Sequence, residues 1–92
     1  MDQVKIGKFI CECRKKQNLT QSELAEKLFI TDRAVSKWEN GRAMPDSTLM
    51  LELCKILNIT VTDLLNGEIV EESSYKDSQE NMVLELIKQK EE

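Results

Sequence analysis

Residues 19–46 read L-T-Q-S-E-L-A-E-K-L-F-I-T-D-R-A-V-S-K-W-E-N-G-R-A-M-P-D, from Leu19 to Asp46. Thr20 is placed to cap a helix. Its hydroxyl can accept the backbone N–H three residues on, while Glu23 reaches back to the Thr20 amide, the reciprocal pair of a capping box. Leu24, Ala25 and Leu28 follow at the spacing of one helical face. Only Phe29 and Ile30 separate Leu28 from a second capping residue, Thr31, which opens a helix running through Trp38 to about Asn40, with Gly41 as its stop. Two short helices therefore meet across a tight turn, and the small Ala25 sits where the second must approach the first.

The pattern extends in both directions. Upstream, Ile6, Ile10 and Cys13 mark a first helix whose stripe Phe9 widens, and Asn18, tolerant of a left-handed backbone, ends it. Downstream, Pro45 and Asp46 start a fourth helix with Met50, Leu53, Cys54 and Leu57 on one face. Thr60 and Asp63 repeat the capping pattern before a fifth, carrying Val61, Leu64 and Leu65. Five helices fit residues 4–66. No segment alternates with period two, and the Asn-Gly pairs at 40–41 and 66–67 follow helical patterns instead of joining two strands. The expected fold is all α.

At 92 residues, with 40% hydrophobic and 33% charged side chains, the chain suits one small solvated domain. Residues 1–66 form that domain on this reading, and the polar run from Gly67 to Ser74 is a linker. Beyond it, Tyr75, Met82, Val83, Leu86 and Ile87 fall mostly three or four apart, so residues 75–92 are expected to form an amphipathic tail helix for dimerisation or for binding a protein partner through residues 75–90. With three basic against eight acidic residues over 68–92, this tail is a poor DNA contact.

Composition removes several function classes. The chain has no histidine, hence neither the commonest general base nor the commonest metal ligand. No Gly-rich phosphate loop or carboxylate cluster appears, so neither an enzyme nor a cofactor is expected. Cys11, Cys13 and Cys54 are odd in number and match no zinc spacing, which leaves them as free thiols without a metal. Cys13 and Cys54 fall on core stripes, while Cys11 points elsewhere, the one cysteine open to a redox role. No apolar run could span a bilayer and no signal peptide is evident near Met1, so a cytoplasmic protein without membrane contact is expected.

The net charge of −4 argues against a nucleic-acid partner until it is divided. Residues 1–44 hold nine Lys/Arg against six Asp/Glu, a sum of +3, whereas residues 45–92 hold four against eleven, a sum of −7. A basic working face and an acidic remainder follow. The third helix supplies that face: Ala34, Val35 and Trp38 are apolar, and Arg33, Ser36, Lys37 and Asn40 fall at i, i+3, i+4 and i+7 on the opposite side. Arg and Lys are side chains that reach guanine O6/N7 and phosphates in a groove.

Residues 6–65, and most specifically the string S-K-W-E-N-G-x-x-x-P-D from Ser36 to Asp46, resemble the Cro/repressor-type helix-turn-helix, the XRE family of bacterial and phage regulators. The resemblance implies a five-helix lambda-repressor-like domain that binds double-stranded operator DNA. It also implies a homodimer placing two copies of the 31–40 helix in successive major grooves of a palindrome, most simply as a repressor. Base reading maps onto Asp32, Arg33, Ser36 and Lys37. Phosphate contact maps onto Thr20, Gln21, Asn40 and Arg42, with Gln21 also bracing the recognition helix. Glu39 matches a position that forms an ion pair with the basic residue matching Arg14.

Alternatives accompany several of these residues. Asp32 could accept from cytosine N4 or merely complement the helix dipole, Thr20 could be a cap alone, and Trp38 could stack on a base although its stripe favours the core. Phe29 stands where the family's turn often carries glycine, so a slightly different turn is expected, with an outward Phe29 as a potential interface residue. A second function class is an antitoxin-like or adaptor module whose tail holds a partner protein and whose DNA binding is autoregulatory.

Overall fold

In the computed structural model, which describes residues 1–70, five α-helices follow one another: α1 (Gln3–Lys16), α2 (Gln21–Leu28), α3 (Asp32–Glu39), α4 (Ser47–Leu57) and α5 (Val61–Asn66). No strand occurs among the described residues. The tail helix expected over 75–92 lies outside them.

Side-chain acceptors start every helix. Asp2, Thr20, Thr31, Asp46 and Thr60 each accept a backbone N–H from the first turn, and both Thr20–Glu23 and Thr60–Asp63 close complete capping boxes. Each such cap contributes about 1 kcal/mol by satisfying an otherwise orphaned donor. Left-handed residues supply the breaks: Asn18, Phe29 and Asn58 sit at φ near 60°, and Gly41 and Gly67 at 74° and 69°. The turn expected to deviate at Phe29 is instead made in the left-handed conformation itself, at φ 60° and ψ 42°. The phenyl ring is 95% exposed, so no packing of its own within the domain offsets the strain.

One apolar cluster joins the helices. Ile6, Phe9, Ile10 and Cys13 of α1 pack with Leu24, Ala25 and Leu28 of α2, Val35 and Trp38 of α3, Leu53, Cys54 and Leu57 of α4, and Leu64 of α5. The α3 helix lies chiefly against α1 and α2, which fixes its orientation and leaves its other side to solvent. Trp38 is thus a core residue.

Gly7 permits the close approach of α1 to α3. A Cβ there would run into the Trp38 carbonyl oxygen and come within 2.9 Å of the Glu39 carbonyl oxygen, both of them backbone atoms. The signal for this contact in the sequence is the glycine itself, since a glycine inside a helix costs about 1 kcal/mol relative to Ala and so marks a packing reason.

Residues 67–70, read from composition as the start of a linker, are tied to the domain. Gly67 closes α5, Lys5 Nζ lies 3.3 Å from Glu68 Oε1, and the Val70 amide donates to Asp63 Oδ1 at 2.9 Å.

Candidate nucleic-acid interface

Recognition of a groove needs a helix held rigidly on one side and free on the other. Its bracing begins at Arg14, in the last turn of α1. The Arg14 Nε donates to Glu39 Oε2 at 2.7 Å and Nη2 to Glu39 Oε1 at 3.1 Å. A third bond, from Nη1 to the Leu19 carbonyl at 2.7 Å, holds the loop leading into α2, and Nη2 also contacts Cys11 Sγ at 3.5 Å. Gln21 completes the cluster by donating Nε2 to Glu39 Oε1 at 2.9 Å. One carboxylate at the end of α3 therefore gathers α1 and the start of α2.

Electrostatics agree with this geometry. Burial pushes the Glu39 carboxyl upward, but hydrogen bonds from Arg14 and Gln21 and the guanidinium charge outweigh it and hold the group below its ordinary value. The bond to Glu39 raises Arg14 further above a value that already keeps it charged, against the opposing effect of burial. The acid is neutralised on the spot, and Glu39 adds little repulsion to an anionic partner.

The outward face of α3 carries Arg33 and Lys37, one turn apart and both exposed, with neither in an ion pair among the described residues. Ser36 between them is half-buried, and Asn40 Nδ2 donates to its Oγ at 3.3 Å. Asp32, the first residue of α3, accepts from Ser22 Oγ at 3.3 Å. Thr31 caps the helix through the Ala34 amide.

The remaining candidates flank this face. Thr20 and Gln21 open α2, with Thr20 occupied in its capping box and Gln21 half-buried against Glu39. Arg42 is exposed in the loop after α3, its amide bonded to the Lys37 carbonyl at 2.8 Å. The loop is also anchored from the far end of the chain, since Gln3 Nε2 donates to the Gly41 carbonyl at 2.9 Å. Gln3 carried no sequence signal, for its partner lies 38 residues away.

A short α2, a left-handed turn and an α3 with a cationic outer face, clamped by a buried ion pair, form a helix-turn-helix. The helix-turn-helix family model matches residues 12–64. The chain belongs to the XRE-type helix-turn-helix family of DNA-binding transcriptional regulators.

Among relatives of this family, the chain is 39% identical over 57 residues to the HTH-type transcriptional activator BcrR of Enterococcus faecalis, covering 62% of this chain and 28% of that protein. It is 31% identical over 84 residues to the HTH-type transcriptional regulator ImmR of Bacillus subtilis (strain 168), covering 91% of this chain and 66% of that one. The chain therefore spans less than two thirds of the length of either relative. Of solved structures, the restriction-modification controller protein C.AhdI from Aeromonas hydrophila superposes with a TM-score of 0.63 at 28% identity, over 68% of this chain and 91% of that chain.

In this helix-turn-helix protein no described helix is long and apolar enough to cross a membrane. Cys13 and Cys54 are buried, and burial pushes both thiols up, whereas Cys11 is half-buried.

Proposed function

We propose that this chain is a sequence-specific transcriptional regulator that binds a palindromic operator as a homodimer and acts as a repressor. The observation that carries the reading is the pairing of Arg33 and Lys37 on the free face of a helix whose opposite face is clamped by the buried Arg14–Glu39 pair. Such a helix can enter a major groove without reorganising, and its two cations can address guanine O6/N7.

Arg33, Lys37, Ser36 and Asp32 read bases in this proposal. Thr20, Gln21, Asn40 and Arg42 contact phosphates, the first two from the N-terminal turn of α2, where backbone amides also favour an anion. A two-fold dimer sets two α3 helices about 34 Å apart, one duplex turn. Repression needs nothing beyond occupancy of a promoter, which this module supplies alone.

Selection of duplexes from a random pool at about 0.15 M salt, where phosphate-only binding is weakened, tests the reading. The expected product is a palindrome with half-sites one turn apart. Absence of any enriched sequence from the folded protein would overturn operator binding, and stimulation of transcription from the selected site would overturn repression.

A further inference from the structure

Ser22 and Asp32 meet across the angle between α2 and α3. The Ser22 hydroxyl donates to Asp32 Oδ2 at 3.3 Å, and both residues are exposed. Ser22 is the second residue of α2 and Asp32 the first of α3, so the bond joins the opening turns of the two helices.

An exposed hydrogen bond of this kind adds little stability. Its effect is on orientation. A surface aspartate samples several rotamers, and a donor fixed on a neighbouring helix selects one of them. Oδ1 receives no hydrogen bond among the described residues and is left as a free acceptor at the N-terminal end of α3.

We propose that Ser22 is a positioning residue that sets the base preference of Asp32, and that the pair selects cytosine at one position of each half-site. This rests on the operator-binding reading above. A carboxylate has no donor, so guanine O6 and N7 and thymine O4 repel it. Adenine offers an amino group beside the N7 lone pair, whereas the major-groove edge of cytosine offers N4–H alone. Ser22 contributes twice. Its proton occupies Oδ2, leaving Oδ1 as the acceptor for a base, and it partly offsets the carboxylate charge that would otherwise be repelled by nearby phosphates.

The test is a panel of duplexes carrying each single base change in the selected operator, measured with wild type, Ser22→Ala, Ser22→Thr, Asp32→Ala and the double variant. Wild type is expected to prefer cytosine at one half-site position by about tenfold, and Asp32→Ala to abolish that preference. Ser22→Ala should reduce it about threefold or more at that position while leaving the other positions within about twofold. Ser22→Thr, which keeps the hydroxyl, should restore it, and the double variant should resemble Asp32→Ala. Melting temperatures should stay within about 2 °C of wild type, as both residues are exposed.

An unchanged cytosine preference in Ser22→Ala overturns the proposal, and so does an even loss of affinity for every duplex, which would make Ser22 a phosphate contact. A wild-type protein that prefers no duplex at all overturns the operator reading and this inference together. That outcome is distinct from a Ser22→Ala profile identical to a discriminating wild type.

Discussion

Arg14 on α1 grips Glu39 at the end of α3 through two hydrogen bonds of 2.7 and 3.1 Å, between side chains only 10% and 6% exposed. Fork-to-fork geometry fixes direction as well as distance, so the pair sets how α3 is presented. Removing one partner of a buried pair costs more than the pair contributes, because the other charge is stranded. Glu39→Ala is therefore expected to lower stability by about 3 kcal/mol and the melting temperature by more than about 10 °C. Calorimetry checks it. An unchanged Tm combined with an altered operator preference would make Glu39 a recognition residue instead.

The same pair sets a pH dependence. Glu39 titrates below its ordinary value of 4.5 in the fold and near that value once unfolded. A depressed carboxylate contributes stability that is fully present above the unfolded value and is lost as pH falls through the folded one. Urea midpoints should therefore fall more steeply below about pH 4.5 for wild type than for Glu39→Gln, which has no charge to lose. Parallel curves would show that the carboxylate's ionisation is not coupled to folding.

Gly7→Ala tests the approach of α1 to α3. Alanine gains about 1 kcal/mol of helix propensity, but overpacking costs about 1–3 kcal/mol, and here the obstacles are the backbone carbonyls of Trp38 and Glu39, which cannot rotate away. A net loss of stability is expected, visible as a lower urea midpoint and weaker operator binding. A raised midpoint would mean that the two helices separate at no cost.

Local physics made much of this fold legible. Thr20, Thr31, Asp46 and Thr60 announce helix starts because a cap acts within three residues, and the apolar stripes announce the core because periodicity is local too. What stayed hidden was tertiary. Gly7 against Trp38, Gln3 against Gly41 and Ser22 against Asp32 join residues whose spacing has no period. Composition over 67–74 reads as a linker, yet Lys5 pairs with Glu68 and Asp63 accepts the Val70 amide, contacts to α1 and α5 that no local pattern announces. The family resemblance placed Glu39 opposite Arg14, a pairing that composition and spacing alone did not contain.

Phe29→Gly should stabilise the domain. The left-handed backbone costs a non-glycine residue about 1–2 kcal/mol, while added freedom in the unfolded chain returns about 0.4–1 kcal/mol of that, and a ring 95% exposed loses almost no burial. A net gain of about 0.5–1 kcal/mol is expected in urea titrations. Lower stability in the variant would show that the ring packs on the domain in solution.

Binding specificity and binding affinity should separate by residue. Arg33→Ala and Lys37→Ala remove groups that face base edges in the proposed complex, so each is expected to cost about 1–3 kcal/mol at particular base pairs and to flatten preference there. Arg42→Ala, in the loop tethered by Gln3, should weaken binding to all sequences evenly and reduce the salt slope by about one. Gln21→Ala should do the same with some loss of Tm, because its amide also donates to Glu39 at 2.9 Å. Arg42 is for that reason the cleaner probe of phosphate contact. Titrations against matched and single-mismatch operators at several salt concentrations measure both effects, and an even loss on every sequence from Arg33→Ala and Lys37→Ala would reduce α3 to a nonspecific cationic face.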